Sequence, residues 1–278
     1  MTDHYAVFGQ PISHSKSPRI HQFFAAQTGQ DLSYTAKEVA PGQFGDSVRA
    51  FFDEGGKGLN CTVPLKELAF AFADQTTARA QRAKAVNTLA LQNDGSVLGD
   101  NTDGCGLVTD LTVNHALTLA GTRILILGAG GAGRGIIGPL LDQAPKKLVI
   151  ANRTVEKAVD LAKEFDNPIV NGCGFADLKG QEFAIILNAT STSLSGQLPP
   201  LPEGVLAGQG VCYDLAYGNQ PTAFVRWGWA NNAVKSLDGL GMLVEQAAEA
   251  FFIWRGVRPQ TQTLIEQLNT ERGILIVS

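Results

Sequence analysis

The stretch Arg123-Ile-Leu-Ile-Leu-Gly-Ala-Gly-Gly-Ala-Gly133 constrains this chain more than any other. Arg123 to Leu127 is a continuous Ile/Leu run, the pattern of a strand buried on both faces of a parallel sheet. Gly128, Gly130 and Gly133 follow at G-x-G-x-x-G spacing, and Ile136, Ile137, Leu140 and Leu141 then recur at helical spacing. Strand, glycine turn and helix in that order predict a dinucleotide-binding βα unit. Gly128 allows the tight turn, Gly130 lets backbone approach a pyrophosphate, and Gly133 lets helix and strand pack closely. Ala129, Gly131 and Ala132 fill the same loop, whose following helix N-terminus offers free N–H groups to phosphate.

The next strand indicates which dinucleotide. Lys147-Leu-Val-Ile-Ala151 is a second apolar run, and it ends in Asn152-Arg153-Thr154. A site for NAD places an acid here, about 20 residues beyond the glycines, to bind the ribose 2′-hydroxyl. This chain has none; it has Arg153, with Thr154 beside it and Lys157 one turn on. A guanidinium beside a hydroxyl suits a 2′-phosphate, so NADP(H) is the expected cofactor.

Composition excludes several other classes. With 278 residues the chain has material for one or two domains. A net charge of −4 gives no reason to expect nucleic acid or an anionic membrane as partner. No apolar run approaches the roughly 20 residues of a membrane span, and the N-terminus lacks a signal-type core, so a cytoplasmic location is expected. Cys61, Cys105, Cys173 and Cys212 are too widely spaced for zinc or a redox pair and read as free packing residues; no metal is expected. His4, His21 and His115 form no ligand cluster, and His14 reads as a loop residue or a cofactor-side contact.

The first hundred residues alternate strand and helix, which predicts a mostly parallel sheet. Strands are expected at Tyr5 to Gly9, Ser33 to Val39, Gly58 to Val63 and Ala85 to Gln92, with a hairpin turn at Asn93-Asp94-Gly95. Helices are expected after Pro18, with Ser17 as N-cap, and over Gln43 to Asp53. Asn60, Thr62 and Lys66 gather where the third strand becomes a helix, the strand end at which open α/β sheets bind ligands. In the second half, strands are expected at Phe183 to Asn188, Gly210 to Leu215 and Ala233 to Leu237. The helix Gly241 to Trp254 is expected to bury Leu243, Ala247, Ala250, Phe251 and Trp254 and to leave Gln246 for the ligand.

Together these stretches resemble the shikimate dehydrogenase family, collinearly over nearly the whole chain. The resemblance rests on Ile12-Ser-His-Ser-Lys-Ser-Pro18, Asn60-Cys-Thr-Val-Pro-Leu-Lys66, Ala85-Val-Asn-Thr88 and Asp100-Asn-Thr-Asp-Gly104. The glycine loop, Asn152-Arg-Thr154, Asn188-Ala-Thr-Ser191, Tyr213-Asp-Leu-Ala-Tyr217 and Asp238-Gly-Leu-Gly-Met-Leu-Val-Glu-Gln246 extend it. It implies a two-domain α/β fold with a cleft between the domains. Residues 1–103 with 239–278 would form a discontinuous substrate-binding and catalytic domain, and residues 104–238 a Rossmann-type NADP-binding domain. The implied reaction is the NADPH-dependent, reversible reduction of 3-dehydroshikimate to shikimate on the route to chorismate and the aromatic amino acids.

Residue by residue, the resemblance makes Lys66 and Asp103 the catalytic pair. Ser15 and Ser17 would bind the substrate carboxylate, and Asn60, Thr62, Asn87 and Gln246 its hydroxyl groups, with Tyr217 nearby. Thr190, Ser191, Leu215, Gly239 and Met242 would join the glycine loop, Asn152, Arg153, Thr154 and Lys157 around the cofactor. The partner is a small polyhydroxylated acid, and the expected assembly a monomer or homodimer. Two alternatives stand beside this reading: a quinate/shikimate relative with relaxed cofactor or substrate choice, and a non-catalytic NADP-binding sensor. The chain departs from the family pattern at Cys61, where Val is common, at Lys84, where Gly is frequent, at Lys157, where Arg is common, and in the tail after Thr270.

Overall fold

The computed structural model of the protein describes residues 2–190 and 192–273. In chain order its elements are β1 (Asp3–Gly9), α1 (Ser17–Thr28), β2 (Leu32–Glu38), α2 (Phe44–Asp53), β3 (Gly56–Cys61), α3 (Lys66–Phe72), β4 (Gln75–Thr76), α4 (Ala78–Ala83), β5 (Thr88–Leu91), β6 (Val97–Asp100) and α5 (Asp103–Thr109). Then come β7 (Arg123–Leu127), α6 (Gly131–Leu141), β8 (Lys147–Ala151), α7 (Val155–Glu164), β9 (Val170–Cys173), β10 (Phe183–Asn188), β11 (Leu206–Asp214), α8 (Ala223–Ala230), β12 (Lys235–Asp238), α9 (Leu240–Arg255) and α10 (Gln262–Glu271). They divide into two compact units, 1–106 with 243–266, and 107–242 with the stretch from Gln267. The division expected from the motifs lay at 103/104 and 238/239, so the contact boundaries fall within α5 and α9.

The first unit is built on a sheet of order β2-β1-β3-β5-β6-β4. β1 pairs in parallel with β2 and β3, whereas β5 is antiparallel to both β3 and β6. The sheet is therefore mostly parallel, as expected, with β5 alone reversed. The cause is local: Gly95, at φ +85°, turns the chain back, and Gln92 N–H donates to the Ser96 carbonyl at 2.8 Å to close the hairpin. Alternate residues of β1 and β3 face opposite ways. Ala6, Phe8, Leu59 and Cys61 join one core, and Tyr5, Val7 and Tyr34 another.

The second unit is a parallel sheet of order β12-β11-β10-β7-β8-β9. Counted from its own first strand that order is 3-2-1-4-5-6, the doubly wound dinucleotide-binding arrangement. Period-two alternation again makes two cores. Ile124, Ile126, Leu148, Ile150, Ile185 and Leu187 lie on one face, and Leu125, Leu127, Val149, Ala151 and Ile186 on the other. The continuous apolar runs follow from this two-sided burial.

Several local expectations are corrected. Lys16, not Ser17, is the N-cap of α1, and Ser17 opens the helix with its N–H donating to Ser15 Oγ at 3.3 Å. On α9, Ala247, Ala250 and Phe251 are buried as expected, Leu243 and Trp254 are only partly buried, and Val244 and Ala248 widen the buried stripe. Strand β5 starts at Thr88 rather than Ala85, and β11 runs back to Leu206. Lys84 is a left-handed C-cap of α4, at φ 49° and ψ 35°, a conformation that favours glycine.

Cys61 is 2% exposed in the core of the first unit, and burial pushes its thiol well above the usual range. Its side chain acts there as a small hydrophobe. Cys61→Val is expected to change stability by less than about 1.5 kcal/mol, whereas Cys61→Ser, which buries a hydroxyl, is expected to cost about 1–3 kcal/mol. Urea unfolding of the two variants side by side checks the difference in sign and size.

Candidate active site

In the first unit the polar residues converge because an antiparallel strand sits among parallel ones. Asn60 near the end of β3 lies opposite Thr88 at the start of β5, and Thr88 lies opposite Asp100 at the end of β6. The amino end of β5 therefore shares an edge with the carboxyl ends of β3 and β6. Thr62 leaves β3 there, Asn87 enters β5 there, and Asn101 to Asp103 leave β6 there.

Lys66, the first residue of α3, and Asp103, the first of α5, form an ion pair of 2.5 Å from Nζ to Oδ2. Their side chains are 28% and 17% exposed, so the pair is neither dry nor freely solvated. A lysine at a helix N-terminus meets the positive end of the helix dipole, and a carboxylate at another is favoured by it. The Asp103 carboxylate thus offsets what the Lys66 position costs. Asn87 holds the second Asp103 oxygen, its Nδ2 donating to Oδ1 at 2.9 Å.

The Asn87 carboxamide is the hub of a buried network. Its Oδ1 accepts from the Thr102 N–H and the Thr88 hydroxyl, each at 2.9 Å. Its Nδ2 also lies 2.9 Å from Thr102 Oγ1 and 3.3 Å from Gln246 Oε1. Gln246 is anchored on α9 by its own Nε2, which donates to the Leu243 carbonyl at 2.8 Å. Asn60 accepts from the Tyr34 hydroxyl at 2.7 Å and donates to the Asn87 carbonyl and to Thr88 Oγ1 at 3.0 Å each. Both Nδ2 protons of Asn60 are thereby engaged within the protein.

Three supporting residues carried no sequence signal. Tyr34 is buried, its phenol pushed well above the usual range, with the Ser17 hydroxyl acting in the opposite direction. The His21 ring stacks on it at 4.1 Å and 4°, and burial lowers that imidazole to about 3, so the ring is neutral at physiological pH. Arg79 binds Asp100 through Nε at 2.6 Å and Nη2 at 2.7 Å, and reaches Glu249 on α9 at 3.0 Å. Burial lowers the Arg79 pKa, but its hydrogen bonds to Asp100 outweigh that and raise it, keeping the side chain charged. Asp100 in turn receives the Asn101 N–H at 2.7 Å, which sets the loop leading to Asp103. Only the spatial arrangement identifies these residues, because their partners lie far away in sequence.

In the second unit the strands end in one row. Ala151 pairs with Leu127, Leu127 with Asn188, Asn188 with Asp214, and Asp214 with Asp238. Gly128, Asn152, Leu215 and Gly239 each follow one of these ends directly, and Thr190 follows at one remove. The expected cofactor residues thus leave a single sheet edge. Gly128, at φ +107°, makes the turn, and a Cβ on Gly133 would lie 2.3 Å from the Gly128 carbonyl oxygen. At Gly130 and Gly131 an added Cβ would meet nothing within 4 Å. The loop is tight on its inner side and open at its middle, next to the N-terminus of α6, which fits a pyrophosphate. Asn152 ties this loop to the next, accepting from Ala129 N–H at 3.3 Å and donating to the Thr154 carbonyl at 2.9 Å. Arg153, Thr154 and Lys157 are exposed around the start of α7, whose N-cap Thr154 makes no side-chain cap. An exposed cation, a hydroxyl and uncapped N–H groups fit a 2′-phosphate.

Thr190 donates to Asn188 Oδ1 at 2.7 Å, and Asn188 donates to Asp214 Oδ1 at 3.1 Å. Met242 N–H lies 3.3 Å from the Tyr213 hydroxyl, which donates to buried Asp110 at 2.7 Å. Tyr217 lies in this unit, on the loop after β11, its phenol raised by burial. Ser191 and the apolar tail Ile274 to Val277 fall outside the described residues. Among the described residues no group of His, Cys, Asp and Glu is placed to hold a metal ion, and no helix is long and apolar enough to cross a membrane.

A parallel sheet of this order with this glycine loop defines a Rossmann-type dinucleotide-binding domain. Comparison with known proteins narrows the class. Residues 7–89 match the shikimate dehydrogenase substrate binding domain, residues 110–195 the shikimate/quinate 5-dehydrogenase domain, and residues 239–268 the shikimate 5′-dehydrogenase C-terminal domain. The chain is 65% identical over 271 residues to the shikimate dehydrogenase (NADP+) of Methylococcus capsulatus, covering 97% of each chain. Among solved structures, an Ael1 enzyme from Pseudomonas putida superposes with a TM-score of 0.91 at 46% identity, covering 96% of this chain and 98% of that one. The shikimate 5-dehydrogenase of Thermus thermophilus, solved with NADP(H) and shikimate, gives a TM-score of 0.86 at 32% identity over 98% and 100%. The chain belongs to the shikimate dehydrogenase family.

Tyr34 tests the support beneath this site. Tyr34→Phe keeps the ring on His21 but leaves Asn60 Oδ1 without its donor. It is expected to cost about 1–3 kcal/mol, the penalty for a buried unsatisfied acceptor. Denaturant unfolding measures it, and Tyr34→Phe combined with Asn60→Leu is expected to cost less than the two changes added separately.

Proposed function

We propose that this chain catalyses the NADPH-dependent, reversible reduction of 3-dehydroshikimate to shikimate, with Lys66 and Asp103 as its catalytic pair. Its place in the family and the Lys66–Asp103 pair together support the reading. A non-catalytic sensor has no need of a half-buried, hydrogen-bonded ammonium–carboxylate pair among amide and hydroxyl groups. Cytoplasmic action on a free small molecule is part of the same proposal.

Gly128 to Gly133 hold the pyrophosphate, and Arg153, Thr154 and Lys157 the 2′-phosphate. Thr190, Leu215, Gly239 and Met242 line the remaining sheet edge. When bound, NADPH supplies a hydride to the C3 carbonyl carbon of the substrate. The electron pair of the C=O π bond then moves to oxygen, and the Lys66 ammonium gives that oxygen a proton and stabilises its charge as it develops. Water returns the proton to Lys66. Asp103 orients Lys66 and accepts from the neighbouring substrate hydroxyl, and Asn87 keeps Asp103 in place. Ser15 and Ser17 hold the substrate carboxylate. Thr62 and Gln246 offer their remaining hydrogen-bonding capacity to the ring hydroxyls, while Asn60 and Asn87, whose amide protons are already engaged within the protein, act mainly by holding Thr88 and Asp103. Tyr217 completes the substrate contacts. Loss of NADPH absorbance on adding 3-dehydroshikimate, with NADH and the quinate-series acid as parallel arms, tests the activity and its selectivity.

Two substitutions test the roles. Lys66→Ala is expected to lower kcat by about 10²–10⁴-fold while NADP binding, followed by titration, stays as in the wild type. A variant keeping more than about a third of wild-type kcat would remove Lys66 from the proton transfer. Arg153→Ala is expected to weaken NADPH use by about 10–150-fold and to leave NADH use nearly unchanged. Equal losses with both cofactors would make Arg153 structural instead.

A further inference from the structure

Arg272 follows α10, beyond the residues 239–268 that match the C-terminal family domain. Its side chain is only 4% exposed. Arginine is rarely buried this deeply without partners that demand its fork of donors. Nη1 donates to the Gly218 carbonyl at 2.8 Å and to Asp238 Oδ2 at 2.6 Å. Nη2 donates to Asp238 Oδ1 at 3.3 Å and to Asn269 Oδ1. Nε has no hydrogen-bond partner among the described residues.

The two main acceptors belong to different segments. Gly218 lies on the loop after β11, next to Tyr217. Asp238 ends β12, and its Oδ1 also accepts the N–H of Leu240, the first residue of α9, at 3.2 Å. The same segments touch through backbone. Gly239 N–H donates to the Ala216 carbonyl at 3.1 Å, and a Cβ on Gly239 would lie 2.1 Å from the Leu215 oxygen. One guanidinium therefore spans the carboxyl ends of β11 and β12, the edge at which such sheets bind ligands. Its charge is also felt at Tyr217, where burial raises the phenol pKa and Arg272 lowers it.

We propose that Arg272 is a positioning residue, a latch just beyond α10 that pre-forms the Tyr217 loop for substrate and the Asp238–Met242 turn for NADP. The inference rests on the reading above, in which Tyr217 meets the substrate and Gly239 and Met242 meet NADP. A loop already held in its binding geometry loses less binding energy to ordering, so the latch acts on affinity and alignment rather than on proton transfer.

The test uses Arg272→Gln, Arg272→Lys and Tyr217→Phe in the full chain, alone and combined, with shikimate KM, kcat, Kd for the reduced nucleotide NADPH by its fluorescence, and Tm. Arg272→Gln is expected to raise shikimate KM about tenfold or more and to weaken NADPH to a lesser degree. Arg272→Lys, which keeps the charge but not the fork, is expected to recover part of the loss. In the Tyr217→Phe background, Arg272→Gln is expected to change shikimate KM by less than about twofold, because the two act as one unit. A lowered Tm with wild-type KM and NADPH Kd would make Arg272 a packing residue and overturn the proposal. So would a KM loss of the same size with and without Tyr217. Wild-type KM in Tyr217→Phe alone would instead overturn the substrate reading of Tyr217, and the latch's route to substrate with it. Should Arg272→Gln fail to fold, Arg272→Lys decides: an unchanged KM rejects the latch, and a rise that Tyr217→Phe abolishes supports it.

Discussion

The carboxamide of Asn87 is the interaction on which the polar half of the first unit depends. It is 3% exposed, so its donors and acceptor must be satisfied inside the protein. They are satisfied by Thr88, Thr102, Asp103 and Gln246, which come from the start of β5, the loop after β6, the start of α5 and α9. Its backbone joins in: the carbonyl receives Cys61 N–H, and the N–H donates to the Asp100 carbonyl. A network this connected has few alternative arrangements, since moving any member strands a buried polar atom. The rigidity available to Lys66 therefore comes from Asn87 through Asp103, and not from α3, which is only seven residues long.

The two units meet the need for a polar rim on an apolar sheet in different ways. The first uses side-chain amides and hydroxyls, and for that it needs β5 reversed, so that the start of one strand joins the ends of others. The second keeps every strand parallel and leaves its glycine loop and helix N-termini to backbone N–H groups. The difference suits the proposed ligands. A pyrophosphate is recognised by a row of N–H donors and a helix dipole, whereas a ring with several hydroxyls needs paired donors and acceptors at fixed angles.

Legibility followed the range of the interaction. The βα unit around Gly128 to Gly133 was readable because its constraint lies within eleven consecutive residues. The absence of an acid after β8 was readable for the same reason. Lys66 was readable as part of a polar group at a strand end, but its catalytic role and that of Asp103 came only through a resemblance, since each alone reads as an ordinary helix-start residue. Tyr34, Arg79 and Thr102 were not readable. A tyrosine that donates across 26 positions to Asn60, or an arginine that reaches Glu249 across 170, leaves no local pattern. The buried face of α9 is wider than its periodicity indicates, because its composition is apolar on nearly every side. Lys84 departs from the family pattern, and its left-handed conformation supplies the physical reason that glycine suits that position.

Arg272 and Arg79 show a common principle of construction. Each is a largely buried guanidinium whose fork closes on the aspartate that ends a strand: Asp100 of β6, Asp238 of β12. In each case that aspartate also accepts a backbone N–H from the loop beyond it, Asn101 in one unit and Leu240 in the other. The planar, five-donor group is suited to this because it can satisfy a carboxylate bidentately and still reach a further acceptor. Breaking either pair would leave a buried carboxylate without its cation, a cost of roughly 3–5 kcal/mol when burial is complete and less at partial exposure. Both aspartates stand at the strand ends where the loops proposed to meet ligand begin. The ion pairs therefore brace the loops, while the groups proposed to touch ligand keep hydrogen-bonding capacity for it.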